Sequence, residues 1–114
     1  MLLVVGKGAI TQAERIDAMR AWINDPLFRP GLNTLCDFSA TTSTPSIADL
    51  EQIVRFIEQH SEAIGRKKLA MIVAHVVTFG VARQFQTLSE SSLVTVRVFT
   101  DFGSAVMWLR EPNE

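Results

Sequence analysis

The sequence predicts an α/β fold with a four-stranded, mostly parallel sheet and alternating helices, in the order β-α-β-α-β-α-β-α. Short apolar runs alternate along the chain with stretches whose apolar residues recur at helical spacing. A serine, threonine or aspartate precedes most of the helical stretches, as is typical of helix N-termini. Strands that alternate with helices favour parallel pairing with right-handed crossovers. The pattern leaves open the order of the strands and whether the helices cover one face or both.

The first predicted strand, residues 2–5, is apolar throughout and ends at Gly6, which is typical of a strand buried on both faces. Thr11 and Glu14 have the spacing of a capping box, so we expect the first helix to begin at Thr11. This helix should end before Pro26, because the residue that precedes a proline disfavours the helical region.

The second predicted strand, residues 34–38, leads through a polar loop to a long helix. The apolar residues of this helix recur at helical spacing until Gly65, where we expect it to end. Its N-cap is either Thr44, with a proline at the first helical position, or Ser46, with an aspartate three residues further on.

The second half of the chain continues the alternation. Residues 66–68 are basic and suit the negative C-terminal end of the preceding helix. Residues 69–74 form a third apolar strand, and a helix follows from about Thr78. Apolar and polar side chains alternate in residues 94–99, which is typical of a strand at a sheet edge. Asp101 is then expected to cap the last helix.

Composition and charge limit the classes of function. The 114 residues are the size of one domain, so residues 1–114 are expected to form a single unit. The formal charge of −1 argues against a nucleic-acid partner, which normally requires a basic surplus. One cysteine, Cys36, allows no internal disulfide and fits a reducing cytoplasm. No membrane span and no signal peptide are expected, because the apolar runs are short and the N-terminus lacks a basic region.

The candidate sites lie where the predicted strands end, because ligands of open parallel sheets bind there and helix N-termini point there. Residues 39–46 contain six hydroxyl side chains among eight, so this loop could take a phosphate, bound or covalent. The alternative is a solvated loop with redundant helix caps. The candidate binding or phospho-acceptor residues are Thr11, Asp37, Ser39, Ser43, Thr44, Ser46, His75, Thr78 and Arg83.

No catalytic, cofactor or metal motif is complete in this sequence. Residues 6–8 match only the first two glycines of GxGxxG, so we prefer a tight turn to a dinucleotide site. Cys36 lies inside a strand rather than at a helix N-terminus, so we expect a buried, inert thiol. Asp37, Ser39 and His75 lack the GxSxG turn of a hydrolase. We therefore expect no cofactor, no metal site and no catalytic residue.

Motifs along most of the chain resemble the SpoIIAA-like, or STAS-like, proteins of bacteria. Downstream, these motifs are the strand LAMIVA, the segment FGVAR at residues 79–83 and the pattern VFxDxxxAxxWL at residues 98–109. Upstream, they are GAITQAE at residues 8–14 and CDFSA at residues 36–40. The resemblance covers nearly the whole chain in the right order, and it implies the SpoIIAA-like fold.

The resemblance also implies a protein-interaction or signalling role, because STAS domains are similar to regulators that bind protein partners. Such regulators are switched by serine phosphorylation at the N-terminus of the second helix, which here falls in residues 39–46. This chain has Thr44-Pro45-Ser46-Ile47 where anti-sigma-factor antagonists carry an Asp-Ser-Ser-Gly type signature. STAS domains also tend to begin with an extra edge strand, whereas this chain begins with LLVV. Its first sheet edge is therefore expected to be uncovered, and a homodimer could cover it.

We therefore expect a cytoplasmic, non-enzymatic signalling module that binds a protein partner and forms a homodimer. The alternative is a domain that binds a small ligand or an anion, such as a phosphate, a nucleotide or a lipid-like molecule. That ligand would lie at the strand ends, with Arg83 and His75 as charged contacts. An enzyme ranks third and would need Asp37, Ser39 and His75 within hydrogen-bond reach in a pocket.

Overall fold

The structure, a computed structural model, describes residues 1–74, 76–90 and 92–112, and the side chains of all of these except residues 76–79. The strands are β1 (Leu2–Gly8), β2 (Thr34–Thr41), β3 (Lys67–Ile72) and β4 (Val94–Phe99). The helices are α1 (Gln12–Ile23), α2 (Ile47–Gln59), α3 (Ser61–Ile64), α4 (Val76–Leu88) and α5 (Phe102–Arg110).

The four strands form one parallel sheet in the order β1-β2-β3-β4, which confirms the predicted α/β class. Each crossover connection leads from one strand to its next neighbour in the sheet, and all three run in the same direction across the sheet. Right-handed crossovers then place the connecting helices on one face of the sheet. Helices α1, α2 and α4 pack on that face, and α5 packs on the opposite face. The strand order and the distribution of helices, which the sequence pattern left open, are thereby decided.

The hydrophobic core has one layer on each face of the sheet. Beneath α2 and α4 it contains Leu50, Val54, Ile57, Phe85, Val94 and Val96. Beneath α5 it contains Leu35, Ala70, Ile72, Ala105 and Leu109. Within the described part of the chain, every helix is too short or too polar to cross a membrane.

Strand β1 lies at an edge of the sheet, so the prediction that residues 2–5 are buried on both faces was wrong. Leu3 pairs in register with Leu35, on the face that α5 covers. Helix α5 packs over β2, β3 and β4 and leaves this face of β1 open, so Leu3 and Val5 are each 54% exposed. A continuous apolar run indicates a strand, but it does not show how many neighbours that strand has.

The predicted helix N-termini are confirmed by their hydrogen bonds. Thr11 and Glu14 form a reciprocal capping box at the start of α1. Ser46 and Asp49 form a second capping box at the start of α2, so the serine is the N-cap of this helix. Asp101 accepts a hydrogen bond from the backbone N–H of Ser104 at the start of α5. These contacts are local in sequence, which is why sequence reasoning finds them.

Element boundaries differ from the predictions in several places. Strand β1 continues to Gly8, so the prediction of a tight turn at residues 6–8 was wrong, because Lys7 and Gly8 pair with the far end of β2. Strand β3 covers Lys67–Ile72 rather than residues 69–74. Strand β2 continues to Thr41, so the first part of the hydroxyl-rich segment is strand rather than loop. The predicted long helix is divided into α2 and α3 at His60, whose Nδ1 lies 2.8 Å from the carbonyl oxygen of Phe56. Helix α4 begins at Val76 rather than near Thr78.

Two of the basic residues 66–68 do not cap the helix that precedes them. Lys67 and Lys68 are the first two residues of β3, and both side chains are buried on opposite faces of the sheet. Lys68 Nζ donates to the carbonyl oxygens of Trp108 and Glu111, at 2.9 and 2.7 Å. Lys68 therefore caps the C-terminal carbonyl groups of α5. Lys68 and α5 are distant in the chain, so only tertiary folding brings them together.

Candidate functional site

The turn after β1 and the loop after β2 meet at one edge of the sheet, as the parallel topology predicts. Ser43 Oγ accepts from the backbone N–H of Ile10 at 2.7 Å and lies 3.1 Å from its carbonyl oxygen. Gln12 Nε2 donates to the carbonyl oxygen of Asp49 at 3.0 Å. These hydrogen bonds tie the N-termini of α1 and α2 together above the strand ends.

Five of the predicted site residues lie at this edge, and four of them act as helix caps or take part in local hydrogen bonds. Thr11 and Ser46 are exposed helix caps. Asp37 Oδ1 accepts from the backbone N–H of Ser39 at 3.1 Å and from its hydroxyl at 2.6 Å. Thr44 is exposed. None of these five lines the cavity described below.

The remaining predicted residues separate into three groups. Ser43 is half-buried and lines the cavity. Arg83 is exposed on α4 and does not line it. Thr78 belongs to α4, with its side chain outside the described part, and His75 lies outside the described residues altogether. The predicted pairing of Arg83 with His75 around an anion therefore stays a prediction.

A cavity of about 260 Å³ lies between the sheet and helices α1, α2 and α4. Its strand side includes Val4, Gly6, Cys36, Leu69, Met71 and Val73. Its helix side includes Ala18, Met19, Trp22, Ile53, Val81 and Phe85. An apolar cavity of about 150 Å³ already holds a molecule the size of benzene. The space inside this fold is therefore large enough for a small apolar ligand.

A small residue on α1 explains why this space is not filled. Helix α1 fully buries only Ile16, and Ala18 presents a single methyl group to the cavity. Gly6 on β1 does not contribute to the empty space, because a Cβ there would lie 2.8 Å from Phe38 Cδ1 and 2.9 Å from Thr41 Cγ2.

The outer end of the cavity, at the strand ends, carries the guanidinium of Arg15. Arg15 Nη1 lies 3.3 Å from Gln12 Oε1 and 4.0 Å from Asp49 Oδ2, and Nη2 lies 3.5 Å from Ser43 Oγ. The side chain is only 18% exposed. Burial lowers the pKa of Arg15, whereas Asp49 and Glu14 oppose that shift. Arg15 thus remains charged and faces two carboxylates.

A smaller cavity of about 50 Å³ continues toward the opposite end of the sheet. The side chains that line both cavities are Met19, Trp22, Cys36, Ile57 and Leu69. Burial raises the pKa of the Cys36 thiol to about 12, so this group stays protonated at neutral pH. The expectation that Cys36 is buried is confirmed.

Lys67 lines the smaller cavity at the start of β3, and we call this end of the two cavities the inner end. Its Nζ donates to Thr34 Oγ1 at 2.9 Å and lies 5.6 Å from the centroid of the Phe28 ring. The residue is only 8% exposed, and burial lowers the pKa of its ammonium group. The two cavities together therefore have a guanidinium at the outer end and an ammonium at the inner end.

Sequence reasoning missed both cations. Arg15 precedes Met19 by four residues and Trp22 by seven, so helical spacing places it on the face that lines the cavity. Lys67 precedes Leu69 by two residues, so it shares a face with Leu69 once β3 is known to begin at Lys67. The first signal was available in the sequence, whereas the second depends on a strand boundary that the sequence pattern placed two residues too late.

Comparisons with known proteins extend the description of the fold. No family model matches the chain, and no curated protein does. Among solved structures, the chain is similar to an uncharacterized protein from the DUF3478 family of Shewanella loihica PV-4, which has a SpoIIAA-like fold. The TM-score is 0.59 at 14% sequence identity, over 94% of this chain and 82% of that chain. Together with the parallel sheet and its alternating helices, this likeness shows that the chain has the SpoIIAA-like fold that its motifs predict.

Proposed function

We propose that this protein binds a small, largely apolar molecule in the cavity between α1 and the sheet. The volume of about 260 Å³ carries the proposal. The lining is almost entirely apolar, so water in this space finds few hydrogen-bond partners. A ligand that fills the space would displace that water and supply the missing apolar contacts.

The sequence analysis gave ligand binding as the alternative function, with the ligand at the strand ends. The proposal keeps that function but places the ligand in the cavity between α1 and the sheet. The predicted site was a polar edge above the strands, with Arg83 among its contacts. Arg83 instead faces solvent, and Ser43 is the predicted residue that also lines the cavity. The apolar lining favours a lipid-like molecule over a free phosphate or a nucleotide, since those would lose their hydration without gaining enough polar partners.

Ligand retention in a filled-cavity variant tests the proposal. Ala18→Leu places three extra carbons inside the cavity, and Ala21→Leu adds the same carbons to an exposed position of the same helix. We expect the wild type and Ala21→Leu to retain alkyl or aromatic probes in native mass spectrometry and to melt at higher temperature with them. Ala18→Leu should lose both effects. Equal binding by Ala18→Leu, or no binding by the wild type, would contradict the proposal.

A second candidate function follows from the exposed side of β1. Leu3 and Val5 are each 54% exposed on an edge strand, a surface that a second copy of the chain could cover. This would make the protein a homodimeric interaction module of the STAS-like kind. Light scattering of wild type and Leu3→Lys tests it, because Leu3 lies outside the cavity lining. A dimer that the lysine dissociates supports this function, whereas a monomeric wild type at high concentration would exclude it.

Neither function requires a catalytic step, so we propose a binding protein rather than an enzyme. The expected compartment is the cytoplasm, because Cys36 is a thiol without a disulfide partner in this chain.

A further inference from the structure

We infer that the inner end of the cavity is an anion site and that the ligand is a long-chain carboxylate whose head group Lys67 holds. This inference rests on the proposed function, because it assigns the polar end of a ligand whose apolar part fills the cavity. The charged Arg15 at the outer end would suggest that the carboxylate lies there, but we place the carboxylate at the opposite end. The carboxylate enters first, and the hydrocarbon tail extends back toward Arg15.

Lys67 has N–H donors without a hydrogen-bond partner in the described part of the chain, and its side chain is buried. An ammonium group has three N–H donors, and Thr34 Oγ1 accepts from Nζ at 2.9 Å. The Thr34 hydroxyl donates its own proton to the carbonyl oxygen of Leu32 at 3.1 Å. No carboxylate of the described residues lies within 4.0 Å of Lys67 Nζ. A buried ammonium without a counter-charge is costly, and a carboxylate ligand would supply that charge and accept the remaining N–H groups.

At the outer end of the cavity, Arg15 already has carboxylates beside it. Asp49 Oδ2 lies 4.0 Å from its Nη1, and Glu14 also acts on the guanidinium. Both carboxylates are also held in capping boxes at the starts of α2 and α1, so they cannot turn away without losing those hydrogen bonds. An anionic head group at this end would compete with Asp49 for Arg15, whereas Lys67 would offer it a positive charge without a counter-charge.

The path between the two ends follows β3. Lys67 begins this strand, and Val73, which lines the larger cavity, lies just beyond its other end. Six residues of extended chain cover about 20 Å, so a ligand that reaches from Lys67 to the strand ends must have a long chain. Met19 and Trp22 are among the side chains that line both cavities. The unbranched thioether of Met19 can change rotamer at low cost and let the head group pass.

Paired acid and alcohol probes test the role of the charge in the full chain. We would measure the dissociation constants of palmitic acid and 1-hexadecanol for wild type, Lys67→Met and Lys7→Met. Methionine keeps the length and apolar stem of lysine, and Lys7 is an exposed lysine of β1 outside the cavity lining. We expect Lys67→Met to weaken binding of the acid about tenfold or more and to leave binding of the alcohol unchanged. Lys7→Met should change neither.

The outcomes separate this inference from the proposed function. If Arg15→Met weakens binding of the acid and Lys67→Met does not, the head group lies at the outer end. The inference is then overturned while the proposed function stands. Equal binding of acid and alcohol by the wild type also overturns the inference alone. If the wild type binds neither probe nor any other apolar molecule, both fail.

A photolabelling experiment on the wild type needs no variant to fold. A palmitic acid with a diazirine at its terminal carbon should label peptides that contain residues 10–15 or 41–45, which surround the outer end. A diazirine beside the carboxylate should label peptides that contain Phe28 or Lys67. The reverse distribution would overturn the inference.

Discussion

At the scale of single residues, Lys67 should make stability depend on pH. Burial lowers the pKa of its ammonium group below the ordinary 10.5. Between the lowered pKa and 10.5, the unfolded chain binds more protons than the folded chain. The free energy of unfolding contributed by Lys67 therefore rises with pH across that window. We expect urea unfolding to show this rise for wild type and to show less of it for Lys67→Met.

The comparison between the two proteins is necessary because Cys36 acts in the opposite direction. Burial raises the pKa of this thiol from 9.0 to about 12, so above pH 9 the unfolded chain loses a proton that the folded chain keeps. Stability from this thiol is present below pH 9 and falls as pH rises toward 12. The charge of Lys67 also lowers the pKa of Cys36 in the wild type. Both proteins are therefore compared with Cys36→Ala in place, so that the difference between them reports Lys67. Parallel pH profiles would contradict the prediction.

Ser89 carries a second prediction at this scale. It is 1% exposed, and its Oγ has no hydrogen-bond partner among the described residues. An unsatisfied buried hydroxyl costs about 1–3 kcal/mol. We expect Ser89→Ala to raise the free energy of unfolding by about 1 kcal/mol in urea titrations. Ser92→Ala is the matched control and should lower it, because Ser92 Oγ donates to the carbonyl oxygen of Ser89 and accepts from Val94 N–H.

At the scale of elements, the connection from α3 to β3 depends on Gly65. This residue has φ of +69°, and a Cβ there would lie 2.7 Å from the backbone nitrogen of Gly31. That nitrogen donates to the carbonyl oxygen of Ile64 at 2.8 Å, so a side chain at Gly65 would separate the two segments. We expect Gly65→Ala to lower the free energy of unfolding by more than about 2 kcal/mol.

Gly8 provides the control for that prediction. Its φ is +65°, but a Cβ at this position would contact nothing within 4 Å. Gly8→Ala should therefore cost only the backbone strain, about 1 kcal/mol. Chemical denaturation of both variants measures the difference. Equal losses would mean that the backbone conformation, and not the contact with Gly31, decides the effect.

The helix ends were predictable because their hydrogen bonds join residues three positions apart. Thr11 with Glu14 and Ser46 with Asp49 can be identified in the printed sequence, and the structure contains both pairs. The exposure of β1 could not be predicted from neighbouring residues in the sequence. Residues 2–5 are as apolar as a central strand, and only the position of α5 on the other strands leaves one side of them open.

At the scale of the whole molecule, we expect a variant that fills the cavity to gain stability and to lose ligand binding. Ala18→Leu buries new apolar surface in empty space, which is worth about 1–2 kcal/mol if the side chain fits without strain. We expect its ligand-free melting temperature to exceed that of wild type, as measured by differential scanning calorimetry. Ala21→Leu should stay close to wild type, because its side chain is exposed. A fall in stability of Ala18→Leu alone would mean that the cavity walls do not accommodate the larger residue.

The sequence by itself determined the alternation of strands and helices and their N-terminal caps, because these depend on periodicity and on contacts between near neighbours. The resemblance of its motifs to the SpoIIAA-like proteins implied the particular fold. Only the tertiary structure decided which strands lie at the edges and that α1 leaves a cavity above the sheet. It also brought Lys67 beneath that cavity and Lys68 to the end of α5. These features depend on how far apart packed elements stand and on contacts between residues distant in the chain. Local patterns of apolar and polar residues do not encode such distances.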